Sequence, residues 1–387
     1  MSKKIKERFI FPVVSVFAGL LVIGVLMEIV LRFLPVCDGG HRLPVNEENP
    51  IFRFEPNRTY QWSAEWRFTM TNKIHVNNDG FISSIDYDPD APGPLIAVIG
   101  DSYVEALMVP YEETGQGRLQ KALDGEARVY SFAIRGSPLS QYLAFAEYAR
   151  DTYHPDAMVV VIVGNDFDES LMVYKSEPGY HYFVEGDDGR LELQLVDFSP
   201  SKIKEIARHS ALARYFMINL ELMLLPSRLK ARFSRSDQAT QYVGNTASDA
   251  GALRVSRSKG AVDAFLEQLP GRSGLAPSKI LLVVDGIRPH LYDPALLQSV
   301  KGTFFDVMRD YIIERGKEAG YEVVDMQPVF LAHFAQHGQR FEYPIDSHWN
   351  SLGHELFFEA MYGSGVVAQL RGLAHRNQDD PDPKKDP

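Results

Sequence analysis

The chain has 387 residues, 45% of them hydrophobic and 24% charged, which is enough to bury a substantial core. A formal net charge of −11 at pH 7, with no basic stripe interleaved with aromatics, argues against a nucleic-acid partner. The single cysteine, Cys37, rules out an internal disulfide and a thiolate metal cluster; the histidines at 75, 154, 181, 209, 290, 333 and 337 lack ligand spacing, so neither metal nor cofactor is expected.

Along the chain, Phe9 to Leu34 is one apolar stretch, interrupted by Glu28 and Arg32 near its far end and long enough to cross a bilayer. Lys3, Lys4, Lys6 and Arg8 precede it, and the positive-inside bias keeps them cytoplasmic. Residues 1–36 therefore read as a cytoplasmic tip and a single-pass anchor in the cell (inner) membrane, with the body periplasmic or otherwise extracytoplasmic. The stretch is too long for a cleaved signal peptide, and no small-x-small site follows it.

Residues 37–92, rich in Asn, Pro and aromatics with short alternating runs, read as a β-rich extension. From 93 to 372 apolar strands alternate with amphipathic segments, which implies an α/β fold with a mostly parallel sheet covered on both faces. The strands expected are Leu95–Ile99, Arg128–Ala133, Ala157–Val163, Lys279–Asp285 and Tyr321–Asp325. The helices expected are Val104–Leu123, Ser140–Tyr153, Val300–Ala319 and Ser351–Leu370.

An insertion at about 176–277 interrupts the rhythm, with a hairpin turning at Asp187-Asp188-Gly189 and an amphipathic helix from Ser201 to Leu225. That helix carries Ile206, Leu212, Phe216, Leu220 and Leu224 mostly on one face, which reads as core packing, with a lid or membrane-facing surface as the alternative. Residues 226–258 read as an exposed loop and 373–387 as a disordered tail.

Three short pieces carry the chemistry: Gly100-Asp101-Ser102, Gly164-Asn165-Asp166 and Asp346-Ser347-His348. A serine hydroxyl is a weak nucleophile, so ester chemistry needs a base within hydrogen-bond reach and a third group to orient it. Ser102, His348 and Asp346 could fill those three roles. Oxyanion donors are sought in the backbone N–H groups of Ser102 and Gly136 and in the side-chain amide of Asn165. Asp166 reads at least as well as a turn cap as it does as a group positioning Asn165 or substrate, Arg135 as an exposed loop arginine rather than one reaching an anionic substrate group, and His354 as a residue that caps or packs the final helix rather than a second base.

These pieces resemble the SGNH/GDSL hydrolase superfamily, whose four blocks supply a Ser, a Gly, an Asn and a His. GDSY carries Ser102, YSFAIRGSPLSQ carries Gly136, VIVGNDFD carries Asn165 and DSHWNSLGHELF carries His348. Ser131 and Ala133 stand where many members have Asn and Gly, and Asp346 lies two residues before His348 where the commonest pattern has three. The shorter Asp-x-His-Trp form resembles bacterial cell-envelope members, including alginate-acetyltransferase-like proteins.

The resemblance implies a flavodoxin-like three-layer αβα sandwich, with a five-stranded sheet, Ser102 after the first strand and the histidine on a loop before the last helix. It further implies a membrane-anchored serine esterase that removes O-acyl groups, such as acetyl, from an extracytoplasmic carbohydrate or lipid. The alternatives are an O-acyltransferase acting on a cell-surface polysaccharide and a non-catalytic envelope scaffold.

Overall fold

The computed structural model describes residues 3–222 and 241–371, so the expected tail, residues 226–240 of the expected loop and the end of the helix expected to reach Leu225 lie outside the described residues. The chain divides into two units. One is built from Met1–His41, Thr59–Ile74 and Pro200–Ser236, the other from Arg42–Arg58, His75–Ser199 and Asp237–Pro387.

The second unit is organised by five strands: β1 (Leu95–Gly100), β2 (Arg128–Ala133), β3 (Ala157–Ile162), β4 (Ile280–Val284) and β5 (Glu322–Asp325). All neighbours pair in parallel, in the order β2-β1-β3-β4-β5. Every residue of β1, β3 and β4 is buried, as continuous apolar runs such as LIAVI and AMVVVI require when helices cover both faces. This is the flavodoxin-like order, and the direction of winding reverses between β1 and β3, opening a crevice at the carboxyl ends of those strands.

Successive side chains along a strand face opposite layers. Ile96, Val98, Val159, Val161, Leu281 and Val283 join Leu119, Phe330, Phe357 and Met361 in one core cluster, so that face lies under the helices Gly115–Ala122, Met326–His337 and Ser351–Tyr362. The opposite face meets Leu139–Tyr153 and Phe304–Glu318, and Ala252–Ser273 packs on both of these helices. Phe81 and Tyr87 pack against the β2 residue Phe132 at ring-centroid distances of 5.1 and 5.8 Å.

Several helices differ from expectation. The single helix expected over Val104–Leu123 is three pieces: Ser102–Glu105, a 3-10 turn at Tyr111–Glu113, and Gly115–Ala122. Ala106 adopts a left-handed conformation that ends the first, and Pro110 with the Thr114 cap resets the chain for the last. The helix expected from Val300 starts at Phe304, after Gly302 takes a positive φ. The helix expected to reach Leu370 stops at Tyr362, and a second helical stretch covers 365–371.

The exposed loop expected up to residue 258 is replaced by a small ribbon, Tyr242–Val243 with Thr246–Ala247, and by the start of the long helix Ala252–Ser273. That helix buries Ala261, Val262, Phe265, Leu266 and Leu269 on one face. The hairpin expected around Gly189 is present, pairing His181–Glu185 with Leu191–Leu195.

The first unit contains the helix Lys3–Leu31, within which Phe11–Leu31 has a mean hydropathy of 2.6 and is long and apolar enough to cross a membrane. The amphipathic helix expected from Ser201 is broken into Lys202–Arg208, Ala211–Arg214 and a π-turn at Tyr215–Asn219. Ser210 causes the break, because its hydroxyl accepts the Ala213 N–H and starts a new helix. Ile206, expected in the core, is 73% exposed.

Candidate active site

The sheet delivers three chain segments to one edge. β1 ends at Gly100, where an added Cβ would stand 2.4 Å from the Val104 side chain, so only glycine permits the immediate turn into the helix that begins at Ser102. The Asp101 carboxylate caps that helix by accepting the Tyr103 N–H at 2.9 Å. Gly136 follows β2 and Asn165 follows β3, the two strands that flank β1.

The Ser102 hydroxyl lies 2.7 Å from His348 Nε2 and 3.2 Å from Asp101 Oδ2. On the other side of the ring, His348 Nδ1 hydrogen-bonds Asp346 Oδ1, which also accepts the His348 backbone N–H at 3.0 Å. A carboxylate on Nδ1 leaves Nε2 as the acceptor facing the serine. Burial works to raise the Asp346 carboxyl, but the hydrogen bonds and charge of His348 outweigh it and hold the group below its ordinary range.

The resemblance placed the histidine on a loop. It lies instead on a short strand, Asp346–Trp349, paired antiparallel with Glu342–Tyr343. Both neighbours of His348 are tied to the segment that follows β4. The Ser347 carbonyl accepts from Arg288 Nη1 at 2.9 Å and from the Tyr103 hydroxyl at 3.2 Å, while Trp349 Nε1 donates to Asp285 Oδ1 at 3.0 Å. Arg288 and Asp285 form a buried ion pair at 2.7 Å. The Tyr103 ring lies against the imidazole, with centroids 4.8 Å apart.

Most backbone groups of the Gly136 segment are hydrogen-bonded. The Arg135 N–H donates to Glu105 Oε2 at 3.1 Å, the Arg135 carbonyl accepts from the Tyr180 hydroxyl at 2.8 Å, and the Gly136 carbonyl accepts from Lys175 Nζ at 3.0 Å. The Ser137 N–H turns back to the Ile134 carbonyl at 3.2 Å. The Gly136 N–H has no partner among the described residues, and the backbone there takes a φ of 77°, which favours glycine. Because a trans peptide points its N–H and C=O in opposite directions, the Tyr180 bond to the Arg135 carbonyl also aims the Gly136 N–H.

Asn165 follows the same logic. Its Oδ1 accepts from Asn245 Nδ2, and its Nδ2 donates to Glu169 Oε2 at 3.1 Å, leaving one amide hydrogen. Glu169 is in turn paired with Lys175 at 2.5 Å, so the lysine links the asparagine and glycine segments.

The remaining candidates have structural roles. Asp166 is buried and accepts from the Val163 N–H at 2.8 Å and the Tyr142 hydroxyl at 3.0 Å, bracing its own turn. Arg135 is partly exposed and lies 3.5 Å from the buried Glu105 carboxylate. His354 is buried in the final helix, where its Nδ1 accepts the Gly115 N–H at 3.3 Å; burial lowers the imidazole to about 3, which keeps it a neutral acceptor.

Sequence reasoning missed Lys175, Tyr180, Asn245, Asp285 and Arg288. Asp285, a charged residue placed directly after an apolar buried strand, was the one visible signal. Tyr180 and Asn245 reach Arg135 and Asn165 across 45 and 80 residues, and Lys175 and Arg288, besides their near partners Glu169 and Asp285, reach Gly136 and Ser347 across 39 and 59, separations that no local pattern encodes.

Burial raises the Asp101 carboxyl to about 6, against the opposing hydrogen bonds from Tyr103 and Ser102 and the charge of His348. The folded state thus holds a proton that the unfolded chain has released, and stability from this group falls as pH rises from about 4 through 6. Asp101→Asn keeps the capping acceptor and removes the titration. Denaturant unfolding of both proteins at pH 4.5 and 7.5 should show the variant gaining on the wild type at the higher pH, by on the order of 2 kcal/mol.

No family model matches the sequence, and no curated protein matches it. Among solved structures the chain is similar to an acetyl xylan esterase, AlAXEase, with 11% identity over 70% of this chain and 100% of that one and a TM-score of 0.38. It is also similar to the psychrotrophic esterase EstA from Pseudoalteromonas sp., with 13% identity over 70% and 95% of the two chains and a TM-score of 0.36. A member of the lipolytic G-D-S-L family from Veillonella parvula aligns at 12% identity over 71% and 99%, with a TM-score of 0.34. In its own four sequence blocks, and in the five-stranded parallel sheet whose strands lead into the first three of them, the chain resembles the SGNH/GDSL hydrolases.

Proposed function

We propose that this chain is a serine ester hydrolase of SGNH/GDSL type, anchored in a membrane by its first helix and acting outside the cytoplasm on an O-acylated carbohydrate or lipid. The observation that carries the reading is the unbroken hydrogen-bond chain from Ser102 through His348 to Asp346. His348 Nε2 takes the hydroxyl proton as Ser102 Oγ attacks the acyl carbon, and Asp346 steadies the imidazolium that forms. The proton then passes to the leaving alcohol, the C–O bond of the ester breaks, and an acyl-Ser102 remains. Water, deprotonated by His348, attacks that acyl-enzyme and releases the acid.

The oxyanion of each tetrahedral intermediate needs donors fixed in advance. The Gly136 N–H and the spare Asn165 amide hydrogen are the donors their surroundings leave unused, and the Ser102 N–H, in the first turn of its helix, completes the set. Glu169 would oppose a nearby negative charge, and its pairing with Lys175 offsets that. A cavity of about 390 Å³ lined by Pro289, Arg340, Tyr343, Ile345 and Asp346 offers room for a substrate group beside the triad. The membrane and orientation parts rest on the apolar helix and the Lys3, Lys4, Lys6 and Arg8 cluster before it.

The Asp346-x-His348-Trp349 spacing favours a second reading, in which a sugar hydroxyl replaces water as the acyl acceptor. The full chain in detergent or nanodiscs should cleave short p-nitrophenyl esters and become labelled at Ser102 by a fluorophosphonate. Ser102→Ala should lose both while unfolding at the wild-type denaturant midpoint; retained turnover would remove Ser102 as nucleophile. Adding a polysaccharide acceptor to the same assay separates the two readings, since acylated sugar appears only with a transferase.

Tyr180→Phe tests the oxyanion geometry. It removes one hydroxyl from the back of the Arg135–Gly136 peptide and should lower kcat about tenfold or more with KM little changed. An unchanged kcat would show that the Tyr180 bond does not position the Gly136 donor.

A further inference from the structure

The broken helix in the first unit presents chemistry that neither its own core nor the catalytic reading uses. Lys202–Arg208 carries Ile203 and Ile206 one turn apart, 80% and 73% exposed, with Lys202, Lys204 and Arg208 around them. Trp66 is 53% exposed, with the Arg67 guanidinium 4.6 Å over its ring, and Phe33 is 85% exposed. Large apolar side chains held in water on a short basic helix call for a partner.

The level of this surface is set by Glu28. Its carboxylate accepts the Ser210 hydroxyl at 2.8 Å, the Leu212 N–H at 2.8 Å and the Ala211 N–H at 3.1 Å, together capping the helix Ala211–Arg214. Arg32, one turn further along, donates to Glu28 at 2.8 Å and to the His209 carbonyl at 3.3 Å. Leu31, Val36 and Ala211 close a small buried cluster with Phe68, Leu212 and Tyr215, and the Tyr215 hydroxyl donates to the Trp66 carbonyl at 3.1 Å.

Glu28 lies three residues before Leu31, the last residue of the apolar helix, a rise of about 4.5 Å. Residues 209–212 are therefore locked beside the final turn of the segment long enough to cross a bilayer, not beyond it. A helix held at that level lies at the depth of lipid headgroups, where isoleucine and tryptophan bury their apolar parts and lysine and arginine extend to phosphates.

We propose that Lys202–Arg208, with Trp66 and Phe33, is a membrane-interface surface seated on the lipid bilayer that the first helix crosses. The proposal rests on the reading of that helix as an anchor. Ile203 and Ile206 enter the boundary between headgroups and acyl chains, and Lys202, Lys204 and Arg208 meet anionic phosphates. The surface fixes the tilt of its own unit at the bilayer, because the Glu28 cap ties it to the anchor on one side and the inserted isoleucines hold it on the other.

Cys37 is buried and is the chain's one cysteine, so a cysteine introduced elsewhere is the accessible thiol. Full-length Ile206→Cys and Ile23→Cys, each labelled with an environment-sensitive fluorophore, are reconstituted in nanodiscs of phosphatidylethanolamine and phosphatidylglycerol, with or without lipid nitroxides at headgroup or mid-chain depth. The expected result is quenching of the position-206 probe by more than half with shallow nitroxides and of the position-23 probe with deep ones.

A 206 probe with water-like emission and no quenching, beside a quenched 23 probe, overturns the interface while leaving the anchor intact. Failure at both positions overturns the anchor reading itself. A 206 probe shielded from water yet unquenched by any lipid overturns the proposal in favour of a protein partner or a second copy of the chain.

Discussion

The ion pair between Asp285 and Arg288 is the contact on which the site's geometry depends. Arg288 is 2% exposed, and burial works against its charge, but the carboxylates of Asp285 and Glu342 outweigh it and keep the guanidinium protonated. A buried pair of this kind is a weak source of net stability, while loss of one partner strands the other charge. What it contributes is placement. Arg288 holds the Ser347 carbonyl and Asp285 holds the Trp349 indole, so the residues on both sides of His348 are fixed to the end of β4, and the imidazole itself is held by Asp346, Ser102 and the Tyr103 ring.

Under the proposed function, the oxyanion donors are held by their neighbours. Around Gly136 and Asn165 most backbone and amide groups are occupied by a partner, and the Gly136 N–H and one Asn165 amide hydrogen are left, beside the buried Ser137 hydroxyl, which also lacks a partner among the described residues. Preorganisation of this sort keeps the cost of arranging dipoles out of the chemical step. Two of the partners, Lys175 and Tyr180, lie just ahead of the hairpin His181–Glu185/Leu191–Leu195, so the segment entering the insertion also braces the carboxyl edge of the sheet.

The strands were legible because burial on both faces demands unbroken apolar runs, and LIAVI, AMVVVI and ILLVV are such runs. Ser102, Gly136, Asn165 and His348 were legible because each sits beside a strand end or turn that constrains its neighbours. The helix Ala252–Ser273 was not, since Ser258 and Ser273 stand among its buried positions and dilute the apolar period. Ile206 was placed in the core for a different reason: an amphipathic pattern records that one face avoids water, without recording what covers it, which is why a membrane-facing surface stood as the alternative. Tyr180 and Asn245 carry no local signal, because each acts through one hydrogen bond to a distant segment.

The Glu28 cap has a consequence for how such a chain is made. Glu28 and Ser210 are 182 residues apart, so a ribosome adding 5–20 residues per second needs roughly 10–40 s to supply the groups that satisfy the carboxylate. Under the membrane reading, the anchor's last turn enters the bilayer with Glu28 paired to Arg32 alone and can still shift along the membrane normal. Once Ser210, Ala211 and Leu212 arrive and fold, the depth of the anchor is set by a helix from the far half of the protein. Under that same reading, insertion depth is a late event of folding rather than an early event of targeting.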